Sequence, residues 1–284
     1  MPQIRPMTRT ELTQQVEWAR AEGWEPGTDD ADLFWDLDPD GFLGLEHEGS
    51  FIGGGAIIRH SSQFGFMGLF IVDREFRGQG FGTELWFARR DQLLARLGDG
   101  ATIGLDGVYE MVPFYERGGF QQYSYYRRFM LPARTSGHLH LPEIVDLADV
   151  DFDAVAAFDR HCFPADRAPF LQRWISQPTA TSRAFVKDGE LLGFAVMRPG
   201  TTGWRLAPLF ANSPDTAEAL LQSFIPLQGE RPIFLDVPDD NPAATELRTK
   251  YQMEEVFGCV RMYLGPVPET RTDMVYGVTT FEVG

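Results

Sequence analysis

The sequence predicts an α/β (α+β) protein built as two halves with one plan, each a mixed, mostly antiparallel central sheet flanked by helices. Three observations carry this reading. A chain of 284 residues, at roughly 150 residues per domain, makes about two domains. Helical and strand periodicities follow the same order in both halves. Residues also recur in that order: His47-Glu48-Gly49-Ser50-Phe51-Ile52-Gly53 beside Lys187-Asp188-Gly189-Glu190-Leu191-Leu192-Gly193, Leu105-Asp106 as Leu235-Asp236, and Arg128-Phe129-Met130-Leu131 as Arg261-Met262-Tyr263-Leu264. Each match alone is weak, but a chance repeat need not keep its order. Pro, Gly, Ser and His interrupt the pattern near 132–141, which places the two domains at 1–133 and 141–284.

The first half reads as helix first. Thr8 and Glu11 fit a capping box, and the helix ends by Gly23. An acidic loop with a short helix follows. Residues 42–45 and 51–58 read as strands around the turn 47–50, and 64–72 as a third strand. A helix from Gly80 to about Leu97 follows from the spacing of Leu85, Phe87, Ala88, Leu93 and Leu94. Then come a short strand at 103–105, a helix at 112–117 ended by Gly118-Gly119, and a strand at 120–131. The second half gives a helix at 151–161 and strands at 184–187, 191–198 and 204–210. A helix at 214–224, a strand at 233–237, a helix at 242–251 and a strand at 256–264 complete it.

With 43% hydrophobic and 23% charged residues, the chain has ordinary globular composition. The net charge is −16. That balance argues against nucleic acid and against anionic membranes as partners, and favours cationic or amine-bearing ones. Cys162 and Cys259 stand far apart with no CxxC, and the five histidines show no ligand spacing, so no metal site is expected. His138 and His140 read as surface residues. The start of the chain shows no apolar signal region, and no run of about 18 apolar residues occurs. A cytoplasmic protein, monomer or homodimer, is expected.

The strongest chemical signal is Arg77-Gly78-Gln79-Gly80-Phe81-Gly82-Thr83, between a strand and a helix. A Gly-rich turn lets backbone N–H groups converge on an anion, and the helix N-terminus adds unpaired donors and its positive dipole end. Such an arrangement suits a pyrophosphate. No Gly-Lys-Ser/Thr follows, which excludes a Walker A loop. Nor is it a good dinucleotide fingerprint, because the first helix precedes mixed or antiparallel strands rather than alternating with parallel ones.

Here the sequence resembles the GNAT N-acetyltransferase superfamily. The family's pyrophosphate motif is matched by Arg77, Gly80 and Gly82, and its later helix-Tyr-Gly-Phe motif by Phe114-Tyr115-Glu116-Arg117-Gly118-Gly119-Phe120. The second half is similar to the degenerate copy of tandem members, through Leu235-Asp236-Val237-Pro238 with Asn241 and through Tyr276-Gly277-Val278. The resemblance implies acetyl-CoA as co-substrate and a small-molecule amine as acceptor. It implies pantetheine pairing with the backbone of Phe70, Ile71 and Val72, and phosphate contacts across 77–83. It also implies Tyr115 as the acid that protonates the departing thiolate; the plainer reading is that Tyr115 packs against Phe114 and Phe120.

Some relatives carry a Glu on the strand before the loop, but 64–72 has no acid. A water chain or an acid from the loop after the first helix is left to serve as base. No Lys or Arg occurs between Arg20 and Arg59, where ten acids lie with Trp24 and Trp35. Most of these acids fit a solvated face. Trp24, Asp29 and Asp30 are the candidates for holding a cationic acceptor. The second half has no glycine at 207–212 and Arg248 near the place of Tyr115, so it is expected to bind no acetyl-CoA. A non-catalytic acyl-CoA sensor or interaction module, and transfer of a longer acyl chain, stay open.

Overall fold

A strand that the sequence pattern did not announce opens the chain. In the computed structural model, which describes residues 2–134 and 141–284, β1 (Gln3–Pro6) pairs antiparallel with β2 (Phe42–His47) from Gln3↔Glu46 to Pro6↔Leu43. Four residues ending in Pro are too few to show a period of two, and Pro is tolerated on such an edge strand. His138 and His140 lie outside the described residues.

Compact packing groups the chain into two units. One comprises Met1–Tyr123, Arg261–Pro268 and Phe281–Gly284; the other comprises Ser124–Val260 and Glu269–Thr280.

In the first unit α1 (Arg9–Ala21) starts at the expected capping box, with Thr8 Oγ1 accepting from Glu11 N and the Glu11 carboxylate accepting from Thr8 N at 2.8 Å. The short α2 (Asp30–Trp35) follows. β3 (Ser50–Arg59) pairs antiparallel with β2 and with β4 (Phe64–Val72), and β4 runs parallel to β5 (Thr102–Val108). Between β4 and β5 lies α3 (Phe81–Arg96), whose buried stripe is Leu85, Trp86, Arg89 and Leu93. Each large apolar side chain in that stripe contributes about 1.5–3 kcal/mol by leaving water. After β5 comes the five-residue α4 (Val112–Glu116).

Two irregularities shape this sheet. The β4–β5 ladder runs from Phe64↔Thr102 to Met67↔Leu105, yet β4 continues to Val72 and β5 to Val108. The β3–β4 register shifts between Gly54 and Ala56, with Leu69 in the left-handed region at φ 49°.

In the second unit β6 (Gln121–Leu131), from Ser124 on, pairs antiparallel with β11 (Ile233–Pro238), which runs parallel to β10 (Trp204–Ala211). β9 (Glu190–Pro199), β8 (Thr181–Lys187) and β7 (Ile144–Asp146) complete the antiparallel side. Helices α5 (Phe152–Cys162), α6 (Ala168–Ile175), α7 (Pro214–Phe224) and α8 (Pro242–Lys250) flank it. Its core gathers Leu206, Leu209, Leu220, Leu221, Phe224 and Leu235, all at most 1% exposed. The chain closes with β12 (Glu254–Leu264) and β13 (Val275–Gly277). No helix among the described residues is long and apolar enough to cross a membrane.

Candidate active site

The expected glycine loop sits where β4 hands over to α3. Gly78 and Gly80 have φ 76° and 90°, a conformation that suits glycine, and a Cβ on either would meet open space. Gly80 is the N-cap of α3 and offers no side chain to it, so the first N–H groups of a 16-residue helix are left to solvent or a ligand. An anion fits this end on the helix dipole and on those donors.

Around the loop the side chains are spoken for. Arg77 donates from Nε to Val72 O at 2.7 Å and from Nη2 to Glu22 at 3.0 Å, so much of its guanidinium braces the loop. Gln79 donates to Glu75 O at 3.1 Å. Phe81 packs inward on His47, ring centroids 4.9 Å apart. Gly82 lies beside Phe70 and Val72, where a Cβ would have contacts of 3.6 Å, and Thr83 is exposed. The loop thus presents backbone rather than side chains.

On β4 the bulge is held from two helices. Gln15 of α1, fully buried, donates to the carbonyl oxygens of Leu69 at 2.7 Å, Gly54 at 2.9 Å and Ile71 at 3.3 Å. Arg89 of α3, 1% exposed, donates from Nη2 to Ala56 O and Gly68 O at 2.6 Å each. Ile71 and Val72 are buried core side chains, so only their backbone can meet a ligand. The tail of the first unit rests on the same strand: Glu282 and Val283 are buried, a Cβ on Gly68 would strike Glu282 O, and Val283 O lies 2.7 Å from His60 Nε2.

Tyr115 is 8% exposed on α4. Its ring stacks on Trp86 at 5.8 Å and meets Phe114 edge-on at 5.7 Å, while Phe114 stacks on Phe70. A Cβ on Gly107 of β5 would lie 2.5 Å from Tyr115 Cε2, so glycine there is what lets the ring lie on the strand. Arg89 completes the group, with its guanidinium 5.2 Å from the Phe70 ring centroid. Burial pushes Arg89 down to about 9, which leaves it protonated at neutral pH.

Much of the acidic stretch borrows bases from elsewhere. Glu22 pairs with Arg74 and Arg77, Asp32 with Arg9, Asp38 with Arg96 and Glu46 with Arg5. Asp30 is fully buried, and its Oδ2 accepts from Gly27 N at 2.8 Å, closing its own turn. Trp24 and Asp29 are half-buried, and Asp29 begins α2 without capping it.

Gln15, Arg89 and Gly107 were not singled out from the sequence. The available signal was a polar residue inside an apolar helical stripe: Gln15 among Leu12, Val16 and Ala19, and Arg89 among Leu85, Trp86 and Leu93. Among the described residues no cluster of three or more His, Cys, Asp or Glu could hold a metal.

The second unit answers each feature differently. α7 begins with Pro214 after Ser213, whose Oγ accepts from Thr216 N at 3.2 Å, so its N-terminus is closed by its own side chains. The β10–β11 ladder stops at Arg205↔Phe234, and beyond it β13 pairs with β10 at Leu209↔Gly277 and Phe210↔Val275. Arg248 of α8 lies over the Phe129 ring at 4.2 Å.

Open helix end, splayed strands and Tyr-bearing helix together define the fold of an acyl-CoA transferase. Residues 8–120 match the Acetyltransferase (GNAT) family and residues 155–277 an Acetyltransferase (GNAT) domain. The chain belongs to the GNAT acetyltransferase family and carries two GNAT copies in tandem. It is 26% identical over 273 residues to a holothin acyltransferase of Pseudoalteromonas sp. (strain SANK 73390), covering 94% of this chain and 90% of that protein. It is 26% identical over 182 residues to the uncharacterized N-acetyltransferase YitH of Bacillus subtilis (strain 168), covering 62% and 61%. A putative acetyltransferase from Pyrococcus horikoshii shares the fold with TM-score 0.84 at 22% identity, over 100% of this chain and 96% of that one. A tandem GNAT protein from the clavulanic acid biosynthesis pathway shares it with TM-score 0.66 at 13% identity, over 94% and 100%.

Proposed function

We propose that the N-terminal copy (1–133) is an acetyl-CoA-dependent N-acetyltransferase of the cytoplasm. It acetylates a primary amine of a small cationic acceptor by direct attack in a ternary complex, while the C-terminal copy (141–284) binds no coenzyme. The observation that carries this is the contrast between two equivalent helix ends. Gly80 leaves α3 uncapped beside β4 strand backbone past the β4–β5 ladder, whereas Ser213 and Pro214 close α7 and β13 fills the edge of β10.

The pyrophosphate would take the backbone donors of Gly78–Thr83, and the pantetheine the backbone of Phe70–Val72. The amine lone pair attacks the thioester carbon. A backbone N–H near Ile71 or Val72 receives the oxyanion, and the C–S bond breaks as the tetrahedral intermediate collapses. Tyr115 gives its phenolic proton to the coenzyme A thiolate, and the amide nitrogen loses its proton to water, since β4 carries no acid. Burial raises the Cys162 thiol well above its usual range, and Cys259 is buried too, which favours direct attack over a thioester on the enzyme. Trp24 and Asp29 would hold a second cationic group of the acceptor, with Asp30 shaping the turn between them.

Release of coenzyme A thiol, measured against polyamines, amino acids, aminoglycosides and peptides, tests the reading. Tyr115→Phe is expected to lower kcat by about 10²-fold while leaving the acetyl-CoA Kd unchanged. Tight acetyl-CoA binding without turnover on any amine would replace the enzyme with a non-catalytic sensor. Propionyl- and longer acyl-CoA in the same assay decide the chain length, which the name of the Pseudoalteromonas acyltransferase leaves open.

A further inference from the structure

We infer that Gln15 is a positioning residue of the acyl transfer: its buried carboxamide locks the β4 bulge, and the bulge turns the Val72 N–H to the open edge of β4, toward the thioester oxygen. The inference deepens the acyl-transfer reading and rests on it.

The register defines the bulge. Gly54 pairs with Ile71 and Ala56 with Gly68, so one residue of β3, Gly55, stands opposite two of β4, Leu69 and Phe70. Leu69 takes the left-handed region at φ 49°, where a non-glycine residue is kept only if its surroundings over-determine it. The ladder cannot do this, because a bulge interrupts it. Gln15 does it from α1. Its Nε2 donates to Leu69 O at 2.7 Å, to Ile71 O at 3.3 Å and, on the facing strand, to Gly54 O at 2.9 Å. Arg89 holds the pair before the bulge, Ala56 and Gly68, whereas Gln15 holds the bulge itself and the pair after it. Gly54 keeps the approach clear: a Cβ there would strike Met7 Cε and lie 3.4 Å from Gln15 Oε1.

Stability does not explain this choice of residue. Gln15 is 0% exposed and stands in the apolar stripe of Leu12, Val16 and Ala19, where an aliphatic side chain would pack. Its Oε1 is buried with no hydrogen-bond partner among the described residues. A buried unpaired acceptor is a cost to the fold. The carboxamide is kept for its two N–H donors, and these go to the bulge.

Backbone groups of a strand alternate between its two edges. Ile71 O faces Gln15 and pairs on the β3 side, and Asp73 N donates to Ile52 O of β3 at 2.8 Å. Val72, between them, therefore presents its N–H and C=O to the other edge. Its carbonyl is found there, accepting from Arg77 Nε at 2.7 Å. That edge is open, since the β4–β5 ladder ends at Met67↔Leu105. Without the extra residue of the bulge the alternation would shift by one and Val72 would face β3. In the step already described, the amine adds to the thioester carbon and the carbonyl π pair moves onto oxygen, where the Val72 N–H donates to it. The pair returns as the C–S bond breaks. Gln15 touches none of these atoms; it holds the donor in place.

The experiment compares the full chain with its Gln15→Met variant, which keeps the length of the side chain and removes both donors. Acetyl-CoA labelled with carbon-13 at the thioester carbonyl is bound without any amine and read by NMR. In the wild type the carbonyl signal is expected downfield of free acetyl-CoA, because a hydrogen bond polarises it; in Gln15→Met it returns toward the free value. The variant's kcat falls by about 10²-fold, while the acetyl-CoA Kd, set largely by the glycine loop, changes far less. A fold defect alone lowers the melting temperature but leaves the signal of the bound fraction in place. An unmoved signal and kcat in a folded Gln15→Met protein overturn the proposal. If that variant does not fold, the wild type decides: the Gln15 side-chain amide hydrogens are expected to be protected from exchange with solvent, and free exchange overturns the proposal. Acetyl-CoA that binds the wild type with an unshifted carbonyl also overturns it, whereas acetyl-CoA that does not bind at all overturns the acyl-transfer reading.

Discussion

At Gly107 one missing Cβ decides whether Tyr115 can lie on β5. The Tyr115 ring is wedged between that strand and Trp86, and its Cδ2 would be 2.7 Å from the added carbon. Neither side can yield as a flexible chain end would, so Gly107→Ala must tilt the ring or shift the strand. Overpacking of this kind costs about 1–3 kcal/mol. The expected result is a stability loss of that size in urea unfolding, together with a fall in kcat and little change in acetyl-CoA affinity. Full activity in Gly107→Ala would separate the ring's resting place from its use. Nothing in the local sequence distinguishes this glycine from its neighbours, because the demand on it comes from a ring eight positions along the chain. Gln15 and Arg89 were more legible, since a polar side chain in an apolar stripe is visible in the sequence. What remained hidden was their target, a bulge that exists only once β3 and β4 pair.

At the scale of the element, α3 and α7 are the same helix with different ends. A Gly N-cap in the left-handed region, two residues after the positive-φ Gly78, leaves α3 with donors for an anion, whereas α7 uses a Ser cap and a Pro with no N–H to donate. Acetyl-CoA at 100 times its Kd should then stabilise the protein by about 2.7 kcal/mol. Gly80→Asp with Gly82→Asp, which puts two carboxylates into the anion site, should abolish the shift. The check is a thermal melt with and without acetyl-CoA, run beside Ser213→Ala, which should weaken α7 without touching the ligand response. An undiminished ligand shift in the double-Asp variant would move the coenzyme elsewhere. The loop was readable because its chemistry is local: seven consecutive residues carry it. β13 was not, because three residues carry no period and its partner Phe210 stands far back in the chain. The pairing of the acidic stretch was hidden for the same reason: Arg74, Arg77 and Arg96, which bind Glu22 and Asp38, lie up to 58 positions away.

Across the whole molecule the two copies and the two compact units are not the same division. The repeat seen in the sequence explains why. Leu105-Asp106 and Leu235-Asp236 are the paired halves of one motif, and Arg128 and Arg261 of the other, and they meet crosswise. Asp236 is bound by Arg128, its Cα partner in the β6–β11 ladder, and also by Arg205; Asp106 is bound by Arg261. Each copy's last strand thus supplies the arginine for the other copy's buried aspartate, and each unit is complete only with that strand end. Order and motif were legible from the sequence, but which Arg served which Asp was not, since pairing is decided by strands more than a hundred residues apart. Asp106 is fully buried and Arg261 nearly so. Arg261→Ala therefore removes the guanidinium that both Asp106 oxygens accept from and is expected to cost about 3–5 kcal/mol, whereas the pair Asp106→Leu with Arg261→Met is expected near neutral. Urea unfolding of both single variants and the double variant gives the coupling. A fragment ending at residue 133 keeps Asp106 without Arg261 and should fail to give a cooperative melt on its own. A stable, cooperatively melting monomer of that fragment would show that the exchange is dispensable, and additive single-variant losses would show that the ion pair is not what ties the strand in place.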